Sequence, residues 1–266
     1  MVKKVKPLVS WNGRHPRTVG IIQARMTSSR LPGKVLLTLG KREVLSHVIL
    51  RLMEAGVFDD IVVATTRNSC DDKVAQVASE NGASVFRGSE KDVLGRYLGA
   101  AETFRAEIVV RITADCPLID PRLVSEMVTR FRHMTSGLDK VDLLSNCRIR
   151  TYPRGLDTEV FSRETLTVCH LNSEKPHHRE HVTTGVYENP HRFVIVDHVS
   201  KRDISQYRLT LDTLDDYQLL RRIFKAWEDR DELSLGLKEV IEIMENNPTW
   251  TMINSHVTQK PVSAAQ

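Results

Sequence analysis

The apolar positions along this chain follow two rhythms in alternation. Thr18 to Ala24 (TVGIIQA), Asp60 to Thr66 (DIVVATT) and Glu107 to Thr113 (EIVVRIT) are short apolar runs rich in β-branched residues. Such runs suit strands buried on both faces of a sheet. Ser84 to Arg87 adds a shorter one. Between them the spacing turns helical. Val44, Leu45, Val48, Ile49 and Leu52 form a stripe within Glu43 to Ala55. Asp71 to Asn81 stops at Gly82, a favoured residue past a helix end. Asp92 to Arg105 predicts another helix, and Pro121 opens a further one at a position that tolerates proline. Strands alternating with helices predict an α/β fold, a Rossmann-like, mainly parallel sheet covered on both faces. In such sheets ligands sit beyond the C-terminal ends of the strands, so the polar loops there are the places to examine.

The rhythm changes after residue 145. Asp157 to Ser162 and Arg192 to Val199 predict strands around a His-rich helical segment. Residues of about 150–205 therefore suggest a small insertion or dimerisation arm. Leu214 to Trp227, with Leu220, Ile223 and Phe224 on one stripe, predicts a packed late helix. The expected organisation is a flexible basic leader over 1–17, one domain over 18–253 and a disordered tail over 254–266.

Composition narrows the class only modestly. With 266 residues, 41% of them hydrophobic, the chain can build one sizeable α/β core. No run approaches the ~20 apolar residues that cross a bilayer, and no apolar run follows Lys3, Lys4 and Lys6, so membrane insertion and a secretory signal are not expected. Cys70, Cys116, Cys147 and Cys169 form no metal-binding spacing and suit reduced thiols in a cytoplasmic protein. A net charge of +4 fits an anionic small substrate as well as a nucleic acid.

Chemistry concentrates in the loop after the first strand, Gln23-Ala24-Arg25-Met26-Thr27-Ser28-Ser29-Arg30-Leu31-Pro32-Gly33-Lys34. Its three cations, small hydroxyls and Pro-Gly turn suit polyphosphate binding. It is neither a GxxxxGK[ST] loop nor a GxGxxG fingerprint, and a solvated cationic loop is the plain alternative. Asp115 follows the strand EIVVRIT, where a carboxylate is well placed for magnesium, or caps the turn before Pro117. Asp212 lies at the end of an apolar stretch expected to be a strand. It is either a second metal ligand or the partner of Arg208, while Thr213, Asp215 and Asp216 suit a helix cap. Arg111 is isolated in an apolar strand and needs a carboxylate from the protein or a substrate. Asp157 and Glu159, two residues apart on an expected strand, share a side. They suit sugar hydroxyls, or else a protein cation such as Arg179. His177 and His181 fall on one helix face, but no HExxH pattern supports zinc.

IIQARMTSSRLPGKVL resembles the opening of the cytidylyltransferases of the spore coat polysaccharide (SpsF-like) type, relatives of the CMP-acylneuraminate and CMP-Kdo synthetases. The resemblance continues in order through ATTRNSCDD (64–72), FRGSEKDVLGRY (86–97), VRITADCPLIDP (110–121), PRGLDTEVFS (153–162), REHVT (179–183) and RLTLDTLDDYQLL (208–220). Thr27 stands where a glycine is expected. The resemblance implies the nucleotide-diphospho-sugar transferase type of fold and transfer of CMP from CTP to a sugar acid or sugar phosphate, with pyrophosphate released. It implies Mg2+ (or Mn2+) on Asp115 and Asp212, and Arg25, Arg30 and Lys34 on the phosphates. Gln23, Ala24, Arg87 and Arg96 are implied near the nucleotide. Arg111, Asp157, Glu159, Arg179 and His181 are implied near the acceptor or a partner subunit. A homodimer without nucleic acid is expected. The competing reading is a non-catalytic nucleotide-binding subunit of a polysaccharide-assembly system.

Overall fold

The computed structural model describes residues 15–135, 141–173 and 175–259. Its framework is a seven-stranded sheet. β1 (Thr18–Gln23) sits near its middle. The loop after β1 runs into a 3-10 turn at Lys34–Leu36 and a small hairpin, β2 (Thr38–Leu39) and β3 (Arg42–Glu43), before α1 (Val44–Glu54). Next come β4 (Asp60–Thr66), α2 (Asp72–Glu80), β5 (Ser84–Gly88), α3 (Val93–Thr103), β6 (Ile108–Thr113) and α4 (Pro121–Thr135). The later part adds β7 (Leu143–Ser145), β8 (Glu159–Ser162), α5 (Arg163–Leu171), α6 (Pro176–Glu180), α7 (Thr184–Tyr187) and β9 (Ile195–Asp197). It closes with α8 (Leu214–Lys225) and α9 (Leu237–Asn246).

The strand order is β5-β4-β1-β6-β8-β7-β9, with β8 antiparallel to both neighbours and every other adjacent pair parallel. The expected mainly parallel α/β sheet is present. After β1 the chain builds outward through β4 and β5, then returns to place β6 on the other side of β1. This reversal leaves a crevice past the ends of β1 and β6, where an open α/β sheet accepts ligands. Tyr97 of α3, fully buried, holds its Oη 3.2 Å from the carbonyls of both Ile21 and Ile112 and ties the two strands together just below the crevice.

Alternate strand residues feed opposite layers. Ile22, Val63 and Val110 pack with α1 and α4, whereas Ile21, Val62 and Val109 pack with α3 and α5. A third cluster joins α8 and α9 to Leu39, Val44 and Leu118. α8 begins with a capping box, Thr213 accepting from Asp216 N and Asp216 from Thr213 N. Such caps stabilise a helix by about 1 kcal/mol, and this one fixes the residue just before it, Asp212.

Several expectations are revised. Arg17 already belongs to the fold: its N–H donates to Glu107 Oε2 at 2.7 Å and its carbonyl accepts from Glu107 and Ile108. The expected tail also starts inside the core. Asn254 is 3% exposed and its Nδ2 donates to the Arg208 carbonyl and to Asp216. Residues 1–14 and 260–266 lie outside the described residues. The stretch ending at Asp212 is not a strand of the sheet. It makes one bridge, Arg154 to Arg208, and its Leu211 N–H donates to the Asp115 carbonyl. The expected strand at 157–162 begins only at Glu159, and Ile195–Asp197 is shorter than expected.

His47 of α1 is fully buried against Phe224, its Nε2 2.8 Å from the Leu39 carbonyl. Burial pulls its pKa down to about 4, against the pull of that carbonyl. The folded value lies below the unfolded one, so this stabilisation is complete above pH ~6.5 and fades as pH falls toward 4. Between pH 7 and pH 5 His47 accounts for a loss of about 2 kcal/mol. Denaturant unfolding at both pH values is expected to show that loss shrinking in His47→Gln. An undiminished loss in the variant contradicts the assignment.

Candidate active site

The loop after β1 is held as a rigid arch. Asp71, fully buried, accepts from Met26 N–H at 2.7 Å, and the Met26 carbonyl accepts from the N–H groups of Ser28 and Gly33, both at 2.9 Å. Gly33 adopts φ 72, which its lack of a side chain permits, and this turn sends Lys34 inward. Thr27 does not need glycine's freedom, since the positive-φ non-glycine residues are Arg105 and Val182. Its hydroxyl instead donates to Glu90, which also pairs with Arg25 at 3.6 Å.

Lys34, 9% exposed, ends at a junction of three chain segments. Its Nζ lies 2.6 Å from Asp115 Oδ2 and 2.7 Å from Asp212 Oδ1. Burial alone would pull the Lys34 ammonium down, but Asp115 and Asp212 outweigh it and hold it above the ordinary lysine value. Burial pushes the Asp115 carboxyl up, yet Lys34 and a bond from Thr113 Oγ1 (2.6 Å) bring it below the usual range. Asp212 Oδ2 also meets Arg30 at 2.8 Å and Arg208 at 2.9 Å. Arg208 extends the network to Asp216 at 2.9 Å and to Gln259 Oε1 at 3.1 Å.

This junction is at one end of a 460 Å3 cavity beyond β1 and β6. Gln23, Ala24, Arg25, Arg30, Lys34, Asp115 and Asp212 line it on the loop side, and Arg111, Asp157, Glu159 and His181 on the other. The second group is largely bonded within the protein. Arg111 pairs with Glu159, which also accepts from Thr183 Oγ1 and Tyr187 Oη. Asp157 is held by both terminal nitrogens of Arg150, at 2.6 and 3.1 Å. The carboxylate pair is thus first a set of anchors for protein cations. Burial pulls the His181 imidazole below its ordinary value, favouring the neutral ring.

Three expected residues do not line the cavity. Arg87 braces the loop after β4, bonding the Thr66 and Asn68 carbonyls at 2.8 Å and pairing with Asp72. Arg96, buried, bonds the Ser89 carbonyl. Arg179 faces Asp92 at 3.5 Å rather than Asp157 or Glu159.

The profile of the family described as cytidylyltransferase matches residues 19–253, which include the β1 loop, Asp115 and Asp212. The chain belongs to the cytidylyltransferase family. It is an enzyme of the nucleotidyltransferase class. This cytidylyltransferase is 31% identical to the spore coat polysaccharide biosynthesis protein SpsF of Bacillus subtilis, over 86% of this chain and 94% of that one. A solved cytidylyltransferase from Leptospira borgpetersenii superposes with a TM-score of 0.84 at 36% identity, covering 93% and 100% of the two chains. The CMP:2-keto-3-deoxy-manno-octonic acid synthetase complexed with CTP shares the fold, with a TM-score of 0.60 at 19% identity over 79% and 99%.

The structure of this cytidylyltransferase adds cavity residues that sequence patterns did not single out. Arg154 lines the cavity, half-buried, its side chain without a hydrogen bond or ion pair among the described residues. Burial and the like charges of Arg150 and Arg208 pull its guanidinium below the ordinary value. Cys147, Tyr187 and Gln259 also line it. No local signal marks them, since their position depends on pairings across the chain. Gly155 carries such a signal in hindsight: Pro153-Arg154-Gly155 is a turn sequence. It adopts φ 104, and a Cβ there would lie 2.5 Å from the Leu209 carbonyl carbon.

His177 and His178 both reach Glu188, with Nε2 to carboxylate distances of 2.8 and 2.9 Å. Ligands around tetrahedral zinc are separated by about 3.3 Å, given Zn–N and Zn–O bonds near ~2.0 Å. Lys175 also occupies Glu188 at 2.9 Å. The cluster fits a hydrogen-bonded clamp between α6 and α7.

Gly155→Ala is expected to destabilise the protein by about 2–5 kcal/mol, since strain and a backbone clash coincide. Gly185→Ala, whose nearest atoms would be 4.0 Å away, is the control and is expected to be near neutral. Thermal unfolding of both variants checks this. Equal melting temperatures would show that the Gly155 to Leu209 approach does not hold the fold.

Proposed function

We propose that this cavity transfers CMP from CTP to an anionic sugar, a sugar acid or sugar phosphate, and releases pyrophosphate. The observation that carries this reading is the convergence of the β1 loop with Asp115 and Asp212 at the sheet's reversal point, inside a family of cytidylyltransferases. Asp115 and Asp212 offer hard oxygen donors that already hold a cation between them, which fits Mg2+ or Mn2+ better than a softer metal. Such an ion, when bound, supplies charge neutralisation at the α-phosphate.

The chain's own residues do the positioning. Gln23 and Ala24 place the start of the arch beside the nucleotide. Arg25, Arg30 and Lys34 meet the β- and γ-phosphates and stabilise the departing pyrophosphate. Arg111 and Glu159, neutralising each other, act as a buried floor that fixes Tyr187 and Thr183. Arg154, left without a partner, takes the acceptor's carboxylate or phosphate. His181 and Asp157 border the same end and suit sugar hydroxyls. An attacking oxygen of the acceptor, held in line with the leaving pyrophosphate, needs no covalent enzyme intermediate.

The working compartment that suits a CTP-consuming enzyme is the cytoplasm, and among the described residues no helix is long and apolar enough to cross a membrane. We assign the residue 150–205 region to a homodimer contact, supported by exposed Leu171 (77%), Val194 (51%) and Val199 (49%). Light scattering is expected to give twice the chain mass, falling in Leu171→Glu. A wild-type monomer excludes this assignment.

The activity is tested by pyrophosphate release with sugar acids and sugar phosphates and each common nucleoside triphosphate. CTP is expected to exceed UTP by about 10²-fold, since two reversed hydrogen-bonding groups cost about 1–3 kcal/mol each. With the accepted sugar, Arg154→Gln is expected to raise the acceptor KM about tenfold or more while CTP affinity holds. UTP or a purine nucleotide as best donor refutes the cytidylyl reading. An unchanged acceptor KM removes Arg154 from the acceptor site.

A further inference from the structure

The junction at Lys34 has a consequence for how the site is loaded. Two carboxylates converge on one ammonium at 2.6 and 2.7 Å, and the other Asp212 oxygen is shared by Arg30 and Arg208. The ammonium stands at the point a divalent cation bridging Asp115 and Asp212 would take. The two cannot share it. A lysine ammonium and a doubly charged ion a few ångströms apart repel strongly where burial of Lys34 and Asp212 limits screening by water. Charge balance adds to the exclusion. Asp115, Asp212 and Asp216 are matched by Lys34, Arg30 and Arg208, so a further cation enters a neutral cluster with nothing to offset it.

We infer that Lys34 is a gate: in the nucleotide-free enzyme it closes the divalent-cation position, and it yields that position only when a polyphosphate draws its ammonium away. This rests on the metal reading of Asp115 and Asp212 given above. The movement it needs is small. Lys34 sits directly after Gly33 in the arch that carries Arg25 and Arg30, and four rotatable carbons let Nζ swing from the carboxylates toward anions beside them. A triphosphate supplies the negative charge that the departing ammonium and the arriving cation together require. Lys34 thereby couples nucleotide occupancy to cation occupancy through one shared point. The coupling is reciprocal: the nucleotide tightens cation binding by the same factor as the cation tightens nucleotide binding.

The test reads cation binding rather than turnover. Free Mn2+ is measured by electron paramagnetic resonance in titrations of the nucleotide-free protein. The wild type is expected to bind Mn2+ weakly at this site. Lys34→Met and Lys34→Gln, which remove the charge, are expected to tighten binding by about tenfold or more. Lys34→Arg, which keeps the charge, is expected to leave it weak. Asp115→Asn in the Lys34→Met background is expected to abolish the gain. The gate is overturned if nucleotide-free wild type binds Mn2+ in the low micromolar range, a result that needs no variant to fold. It is also overturned if folded Lys34→Met binds no more tightly than wild type. In that second case, Mn2+ uptake lowered by Asp115→Asn in the presence of CTP leaves the metal reading standing. Uptake that ignores both Asp115→Asn and Asp212→Asn sinks the metal reading and the gate together.

Discussion

A single buried ammonium holds two carboxylates that lie 81 and 178 residues away along the chain. Neither Asp115 nor Asp212 could be buried beside the other as an anion without a cation between them. Lys34 therefore fixes how the first loop, the end of β6 and the start of α8 meet. Arg30 and Arg208 complete the set from either side. The arrangement is costly to desolvate, and its retention in a cavity rather than in the core fits a site that exchanges one cation for another.

The fold supplies what that junction needs. β1 and β6 run parallel and adjacent, so their C-terminal loops open at the same level of the sheet. Tyr97 joins the two strands beneath the crevice, and Asp71 restrains the arch above it. Asp212 is brought in by two backbone devices. The Leu211 N–H bonds the Asp115 carbonyl, and the Gly155 turn lets residues 153–155 lie against Leu209. The capping box of α8 then sets the direction in which the helix departs. Packing energy thus comes from the two faces of the sheet, while the geometry of the site comes from a few backbone contacts at its edge.

The strands before residue 115 were legible because buried parallel strands leave unbroken apolar runs, and the loops after them could be named from strand ends alone. Lys34 and Asp115 were singled out for the same reason, Asp212 by the family resemblance and by an apolar stretch that is not a strand of the sheet. Their mutual contact was not legible, because it joins three segments whose pairing depends on the sheet's reversal. Arg154 escaped notice since nothing local separates a cation aimed into a cavity from one on the surface. Arg87 and Arg179 were placed at the site because their segments resemble the family's. The structure shows them bracing carbonyls or facing Asp92, roles that side-chain type cannot reveal. Asn254 looked like the start of a loose tail because one buried amide gives no periodic signal, yet it caps the Arg208 and Asp216 pair.

The central claim is that the meeting point of Lys34, Asp115 and Asp212 is the nucleotide and metal centre. Anomalous diffraction from crystals grown with CTP and Mn2+ tests it most directly. A manganese peak is expected at the Asp115 and Asp212 carboxylates, with the Lys34 ammonium displaced onto the triphosphate. A manganese peak elsewhere, with Lys34 still bridging both carboxylates while CTP is bound, would contradict it.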